Sequence, residues 1–289
     1  MISRRSAIQL LCAAGASTSL RAVPKKQTAF PIGACDWSIG KKQHIDAFEV
    51  AQKIGLEGVQ VSFSTPGSEF DLRDQKVREQ YYRKVNATGI KLTSIGMGIL
   101  NQQPLATHPE SIQWVTEVID VMAAMKNEQL DKAPNICLLA FFGKGDINGK
   151  PDLMDAVIKK LKTVAGKAED NGVILGIESY LSADDHLKII DGVGSKAIQV
   201  YYDSANSNKM GYDIYKEIVQ IGGERLCQVH CKENGALLGE GVIDFEKFKA
   251  SLDKAGYKDW LIIEGAMPKG AEVIEAYKEN FATLDGIFR

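Results

Sequence analysis

From about residue 31 the chain alternates two patterns of hydrophobic and polar positions. Short apolar runs rich in Val, Ile and Leu recur at 32–35, 58–63, 91–95, 136–141, 173–177, 198–202, 226–229 and 261–263. Each has the length and density of a buried strand. Longer amphipathic segments lie between them, at 46–54, 74–88, 110–126, 152–170, 213–221, 245–255 and 271–284, and predict helices. Gly55, Gly89, Gly172 and Gly256 follow four of these segments, where a left-handed residue commonly ends a helix. Eight strands in alternation with helices predict an α/β fold, the closed (β/α)8 TIM barrel. An open doubly wound sheet would call for a GxGxxG motif opening the first helix, and Gly96 and Gly98 supply only a fragment of it. Neither a sequence repeat nor a low-complexity linker divides the chain, so residues 23–289 are expected to form one domain.

The first 22 residues depart from this pattern. Arg4 and Arg5 precede a modestly apolar stretch of small residues from Ala7 to Ala16, which resembles a twin-arginine export signal with Ala22 near the cleavage point. The expected destination is periplasmic or extracellular. The stretch is too short to span a bilayer, and Leu11 before Cys12 is too large for a lipid-attachment site. Loss of the segment removes Arg4, Arg5 and Arg21 and no acid from a chain with 35 basic and 37 acidic side chains. An acidic remainder lacks the Lys and Arg excess that neutralises phosphates, so nucleic acid is excluded as a partner. Cys35, Cys137, Cys227 and Cys231 form no CxxC pair and sit in or beside apolar runs, as buried small hydrophobes do.

Four apolar runs end on ionisable residues: Glu178, Asp203, His230 and Glu264. An unpaired charge at the end of a buried strand is costly, and four on successive strands point to one convergent site. In a parallel barrel the C-terminal ends of all strands open on one face, with neighbours about 5 Å apart. These four would end strands five to eight. A network of ion pairs is the rival reading, but three acids and one His with no Arg would repel one another. The set suits one divalent metal ion, Mn²⁺, Mg²⁺, Co²⁺ or Zn²⁺. Alternation places Gln199 and Tyr201 on the face of Asp203, and Gln228 on that of His230.

The order Glu178, Asp203, His230, Glu264, with the segments 229–234, 238–245 and 261–264 around the last two, resembles the xylose-isomerase-like sugar isomerase/epimerase superfamily. The resemblance covers about residues 30–289 and is strongest over 173–264. It implies a TIM barrel holding one divalent metal on those four residues, with Glu178 and Glu264 also acting as acid and base on opposite faces of a sugar. A metal on neighbouring sugar oxygens polarises the carbonyl and stabilises an enediolate once the α-proton leaves. Return of the proton from the other side gives epimerisation, and transfer between adjacent carbons gives isomerisation. Three positions depart from the ketose 3-epimerase pattern: Asn206 stands in place of a His, Ala236 of an Arg and Asp184 of a Glu. Asp184 and Asn206 remain substrate-binding candidates. Lys232 is another, to orient a substrate oxygen or steady an enolate, with an ion pair to Glu233 as its structural alternative. Trp37, after strand one, and Phe142, after strand four, are candidates to stack on a sugar or serve as core aromatics. His44, His108 and His186 are expected at the surface.

The expected function is an exported, metal-dependent isomerase or epimerase of a sugar or sugar derivative. Its alternatives are a lyase or hydratase of 3-keto-glycosides on the same metal site, and a non-catalytic sugar-binding protein. A trinuclear-zinc endonuclease of the same superfamily would need more histidines than the four present. The expected partner is a small-molecule carbohydrate, with no membrane association after signal cleavage. Assembly as a homo-oligomer is left open.

Overall fold

The computed structural model describes residues 30–63, 66–128 and 133–289. The export-signal candidate at 1–22 lies outside them. Eight parallel strands close into a barrel in sequence order: β1 (Ile32–Cys35), β2 (Gly58–Ser62), β3 (Lys91–Met97), β4 (Ile136–Phe141), β5 (Ile174–Ser179), β6 (Ile198–Asp203), β7 (Leu226–Cys231) and β8 (Leu261–Ile263). The helices are α1 (Ala47–Ile54), α2 (Gln75–Thr88), α3 (Ser111–Asn127), α4 (Pro151–Asn171), α5 (Ala183–Val193), α6 (Ser204–Lys209), α7 (Ile214–Ile221), α8 (Phe245–Ala255) and α9 (Val273–Phe288). No described helix is long and apolar enough to cross a membrane.

Local signals account for most boundaries. Asp74, Asp213 and Asp244 each accept a backbone N–H two or three residues on, the N-cap that starts α2, α7 and α8. Gly55, Gly89, Gly172 and Gly256 adopt the left-handed conformation that ends α1, α2, α4 and α8. Strands β5, β6 and β7 run one or two residues beyond their apolar segments. The cause is pairing: Glu178 stays in register with Ala140, and Asp203 with His230, so the charged residues belong to the ladder. Helix α5 begins in a polar turn, Asp184 to His186, which masks its amphipathic pattern in the sequence; Ser182 caps it by accepting from the Asp185 N–H.

The main core fills the layer between barrel and helices, with Phe48, Val59, Tyr81, Ile119, Leu161 and Phe248 all buried. A smaller apolar cluster joins Ile136, Leu138 and Ala140 of β4 to Tyr201 and Cys227. Below the barrel mouth the buried layer turns polar: Ser94 and Tyr201 both donate to Gln228 Oε1, at 2.5 and 2.7 Å. All four described cysteines are buried and free, as expected.

At the start of β2 the backbone passes so close to its neighbours that a side chain has no room. A Cβ on Gly58 would overlap Thr93 Cγ2 and come within 2.9 Å of the Trp260 ring. Gly58→Ala is therefore expected to destabilise the protein by about 1–3 kcal/mol, the usual cost of overpacking. Equilibrium denaturation checks this; unchanged stability would mean that Thr93 and Trp260 yield freely.

Candidate metal and active site

Glu178, Asp203, His230 and Glu264 meet at the mouth of the barrel, each offering one ligand atom within 4.8 Å of the others. His230 Nδ1 lies 3.0 Å from Glu178 Oε1 and 3.6 Å from both Asp203 Oδ2 and Glu264 Oε2. His230 is fully buried, and Glu178 and Asp203 nearly so.

Each carboxylate is held by its own local structure. Asp203 ends β6 and at the same time caps α6, its Oδ1 accepting the Asn206 N–H at 2.7 Å. One oxygen is thus committed to the helix, while the other, Oδ2, is buried without any hydrogen-bond partner. Glu264, just past the three-residue β8, accepts Trp37 Nε1–H on Oε1 at 2.8 Å and Lys232 Nζ–H on Oε2 at 2.7 Å. Lys232 also approaches Asp203 Oδ2 at 3.6 Å. Gly96 leaves room for the indole, since a Cβ there would stand 3.1 Å from the Trp37 ring.

This crowding separates the two glutamates. Burial, with the negative neighbours Glu264 and Asp203, pushes Glu178 up to about 7 against the opposing pull of His230. Burial acts the same way on Glu264, but His230, Lys232 and Trp37 outweigh it and hold that carboxyl well below the usual range. Burial opposes charge on His230, yet its anionic surroundings raise it. A divalent cation fits these residues: the donors are hard oxygens and one imidazole nitrogen, and Asp203 Oδ2, which makes no hydrogen bond, faces the His230 nitrogen.

A cavity of about 380 Å³ opens beside Glu178 and Glu264, walled by Trp37, Phe63, Ile99 and Phe142 among others. Phe142 packs edge-on against Tyr180, with ring centroids 4.8 Å apart. The structure thus brings Trp37, Phe142 and Lys232 to the cluster or its cavity. Asn206 is buried beside the cluster, and its bond to Asp203 runs through the backbone, which any residue but proline could supply. Asp184 is not brought there: it is exposed on the first turn of α5 and accepts from Gln220 of α7. It is not among the residues that wall the cavity. His186 also differs from expectation. It is buried, with Nε2 2.9 Å from Ser179 Oγ and Nδ1 3.0 Å from the Ser182 carbonyl, because it lies on the inward face of α5.

Sequence reasoning missed Asp36, Gln43 and Gln60. Asp36 is buried at the exit of β1 and accepts from the Ser62 N–H and hydroxyl, both at 2.7 Å, and from the Gln43 N–H at 3.0 Å. Burial raises it to about 6 against those hydrogen bonds. Gln43, in the cavity wall, has φ 54°, the one positive φ outside glycine among the described residues. Such a backbone costs on the order of 1–3 kcal/mol and persists only where neighbours hold it. The Asp36 bond and a second one from Gln43 Nε2 to the Phe63 carbonyl, at 3.1 Å, do so.

Two curated relatives share low identity over most of the chain. A 2-epi-5-epi-valiolone 7-phosphate 2-epimerase from Actinoplanes sp. is 22% identical over 73% of this chain and 77% of its own. An L-ribulose-5-phosphate 3-epimerase from Escherichia coli is 22% identical over 82% and 84%. Among solved structures, the apo 3-keto-D-glucoside 4-epimerase from E. coli superposes with a TM-score of 0.71 at 15% identity, covering 89% of this chain and 99% of that one. The family described as xylose isomerase-like TIM barrel matches residues 48–286, and with the closed eight-stranded barrel this establishes that the chain belongs to that family.

Proposed function

We propose that the protein is an exported, divalent-metal-dependent isomerase or epimerase of a sugar or sugar derivative, acting by proton abstraction α to a carbonyl. The observation that carries this reading is the convergence of Glu178, Asp203, His230 and Glu264, with one buried Asp203 oxygen lacking a hydrogen-bond partner. An ion held by these four residues would polarise the substrate carbonyl and ease loss of the neighbouring proton.

The chain's own groups supply the proton chemistry. Glu178 and Glu264 both border the cavity. His230, Lys232 and Trp37 keep Glu264 ionised, and burial favours a proton on Glu178 only while no ion is bound, since ligation of an ion would release it. Two carboxylates beside one cavity suit removal and return of one proton. Trp37 and Phe142 offer apolar faces for the C–H surfaces of a sugar ring. The relatives reported for this chain are all named as epimerases, which supports the same reading here. An unphosphorylated substrate accords with export, and Lys42 is the one basic side chain in the described cavity wall.

Solvent deuterium should enter an α-carbon of the substrate, tested by mass spectrometry across free ketoses and keto-glycosides with metal-loaded protein. Glu264→Gln should slow this exchange by about 10²–10⁴-fold while the protein stays folded. Sugar binding by the wild type with no exchange would instead favour a non-catalytic binding protein.

The sign of the pH effect on metal affinity follows from Glu178. A ligand must be deprotonated to bind, and Glu178 holds a proton below about 7. Affinity measured by competition with a chelating dye should therefore weaken as pH falls through that value. A constant affinity from about pH 8 to about pH 6 would contradict metal ligation by Glu178.

Export rests on residues 1–22. Replacement of both Arg4 and Arg5 by Lys, in a fusion of that segment to a reporter, should retain the reporter in the cytoplasm. Undiminished export through the same route would remove the twin-arginine reading.

A further inference from the structure

Gln60 is a fully buried amide in the middle of β2, across the barrel from the strand that carries His230. Its Oε1 stands 2.8 Å from His230 Nε2. The Cys35 thiol donates to the same oxygen at 3.2 Å, and Cys35 Sγ lies 3.4 Å from that imidazole nitrogen. The amide Nε2 of Gln60 is buried and has no hydrogen-bond partner. Thiol and imidazole thus converge on the acceptor end of the amide, and its donor end is left over. No demand of the amide itself explains that orientation; the demand of His230 does.

An imidazole nitrogen facing an amide oxygen must carry a hydrogen, because two lone pairs would otherwise meet. The proton then sits on Nε2, and a neutral ring keeps its lone pair on Nδ1. Nδ1 is the atom that faces Glu178, Asp203 and Glu264. Turned the other way, the amide would offer its NH₂ to Nε2, drive the ring proton to Nδ1 and set an N–H against any cation.

We propose that Gln60 is a positioning residue that fixes the ring proton of His230 on Nε2, so that Nδ1 is presented as a ligand to a divalent ion. This rests on the metal reading above. Partners of this kind, which orient a ligating imidazole through its other nitrogen, commonly change metal affinity by 10–100-fold when removed. Here the role falls to a neutral amide on a distant strand. Gln60→Met keeps most of the side-chain volume and removes the acceptor, whereas Gln60→Glu keeps an acceptor oxygen and adds basicity.

The test uses Zn²⁺ alone as probe, with affinity measured by dye competition and the histidine ring observed by ¹H–¹⁵N correlation spectra of the zinc-loaded protein. The expected wild-type spectrum shows His230 protonated on Nε2 and ligated through Nδ1. Gln60→Met should bind zinc about 10–100-fold more weakly, and Gln60→Glu should bind at least as tightly as wild type with the proton still on Nε2. A proton on Nδ1 in the zinc-loaded wild type, or equal zinc affinity of wild type and Gln60→Met, would overturn the role of Gln60 and leave the metal reading standing. Failure of the wild type to bind zinc or manganese at all would sink the metal reading itself, and this proposal with it. Should Gln60→Met not fold, the wild-type spectrum and Gln60→Glu decide alone: weaker zinc binding by Gln60→Glu would count against the proposal.

Discussion

Mutual repulsion among three carboxylates in a nearly dry barrel mouth is the constraint on which the rest of the site depends. At about 4 Å and an effective dielectric constant of about 20, each pair of unit charges repels by about 4 kcal/mol. Three such pairs would match the whole stability of an ordinary domain. The charges of Glu178, Asp203 and Glu264 must therefore be compensated in any folded state. His230 stands among all three, Lys232 reaches two, and burial favours a proton on Glu178. These are interchangeable ways of supplying positive charge, and a divalent ion is another. The same arrangement that makes the cluster tolerable without an ion defines what the ion would displace.

Barrel closure makes such a cluster attainable. Four consecutive strands deliver one residue each to the same edge, and pairing of Asp203 with His230 in the ladder fixes their relative height. Asp203 then does two things with two oxygens: one starts α6 and the other faces the cluster. The helix follows the strand without a loop because the residue that ends one caps the next. Beneath this level, the buried polar side chains Gln60, Ser94 and Gln228 replace the apolar filling usual in barrels of this kind. In this layer Gln228 turns its oxygen to Ser94 and Tyr201 while Gln60 turns its own to His230, and each leaves its amide nitrogen without a hydrogen-bond partner.

Strands and the four clustered residues were legible because burial on both faces writes a continuous apolar run, and a charge at its end breaks that run visibly. Gln60 was missed although the sequence holds a weak signal of it. It sits between Val59 and Val61, and alternation in β2 marks it as facing opposite to them, but one amide gives no hint of its partner 170 positions away. Asp36 was hidden because its partners are backbone groups and a serine, which carry no pattern. Asp184 shows the opposite error. Counting six residues on from Glu178 preserved a carboxylate in the sequence, yet the geometry of the β5–α5 turn carries it out to solvent. Spacing along a strand transfers between proteins because the ladder enforces it, whereas spacing across a strand–helix turn has no such guarantee.

The two halves of the barrel divide the work. Strands β5 to β8 carry the clustered ligand atoms, while Trp37, Gln43, Phe63, Ile99 and Phe142, which wall the cavity, follow β1 to β4. The family match spans both halves, residues 48–286. Hydrogen bonds that join the halves at the site include Trp37 to Glu264 and Gln60 to His230. Through the first, the aromatic wall of the cavity is tied to the carboxylate expected to accept the proton. Placement of a substrate against that wall and ionisation of Glu264 therefore depend on the same indole. A change in the β1–α1 loop, whose strained Gln43 is held by Asp36, would reach the chemistry through Trp37 as well as through the shape of the cavity.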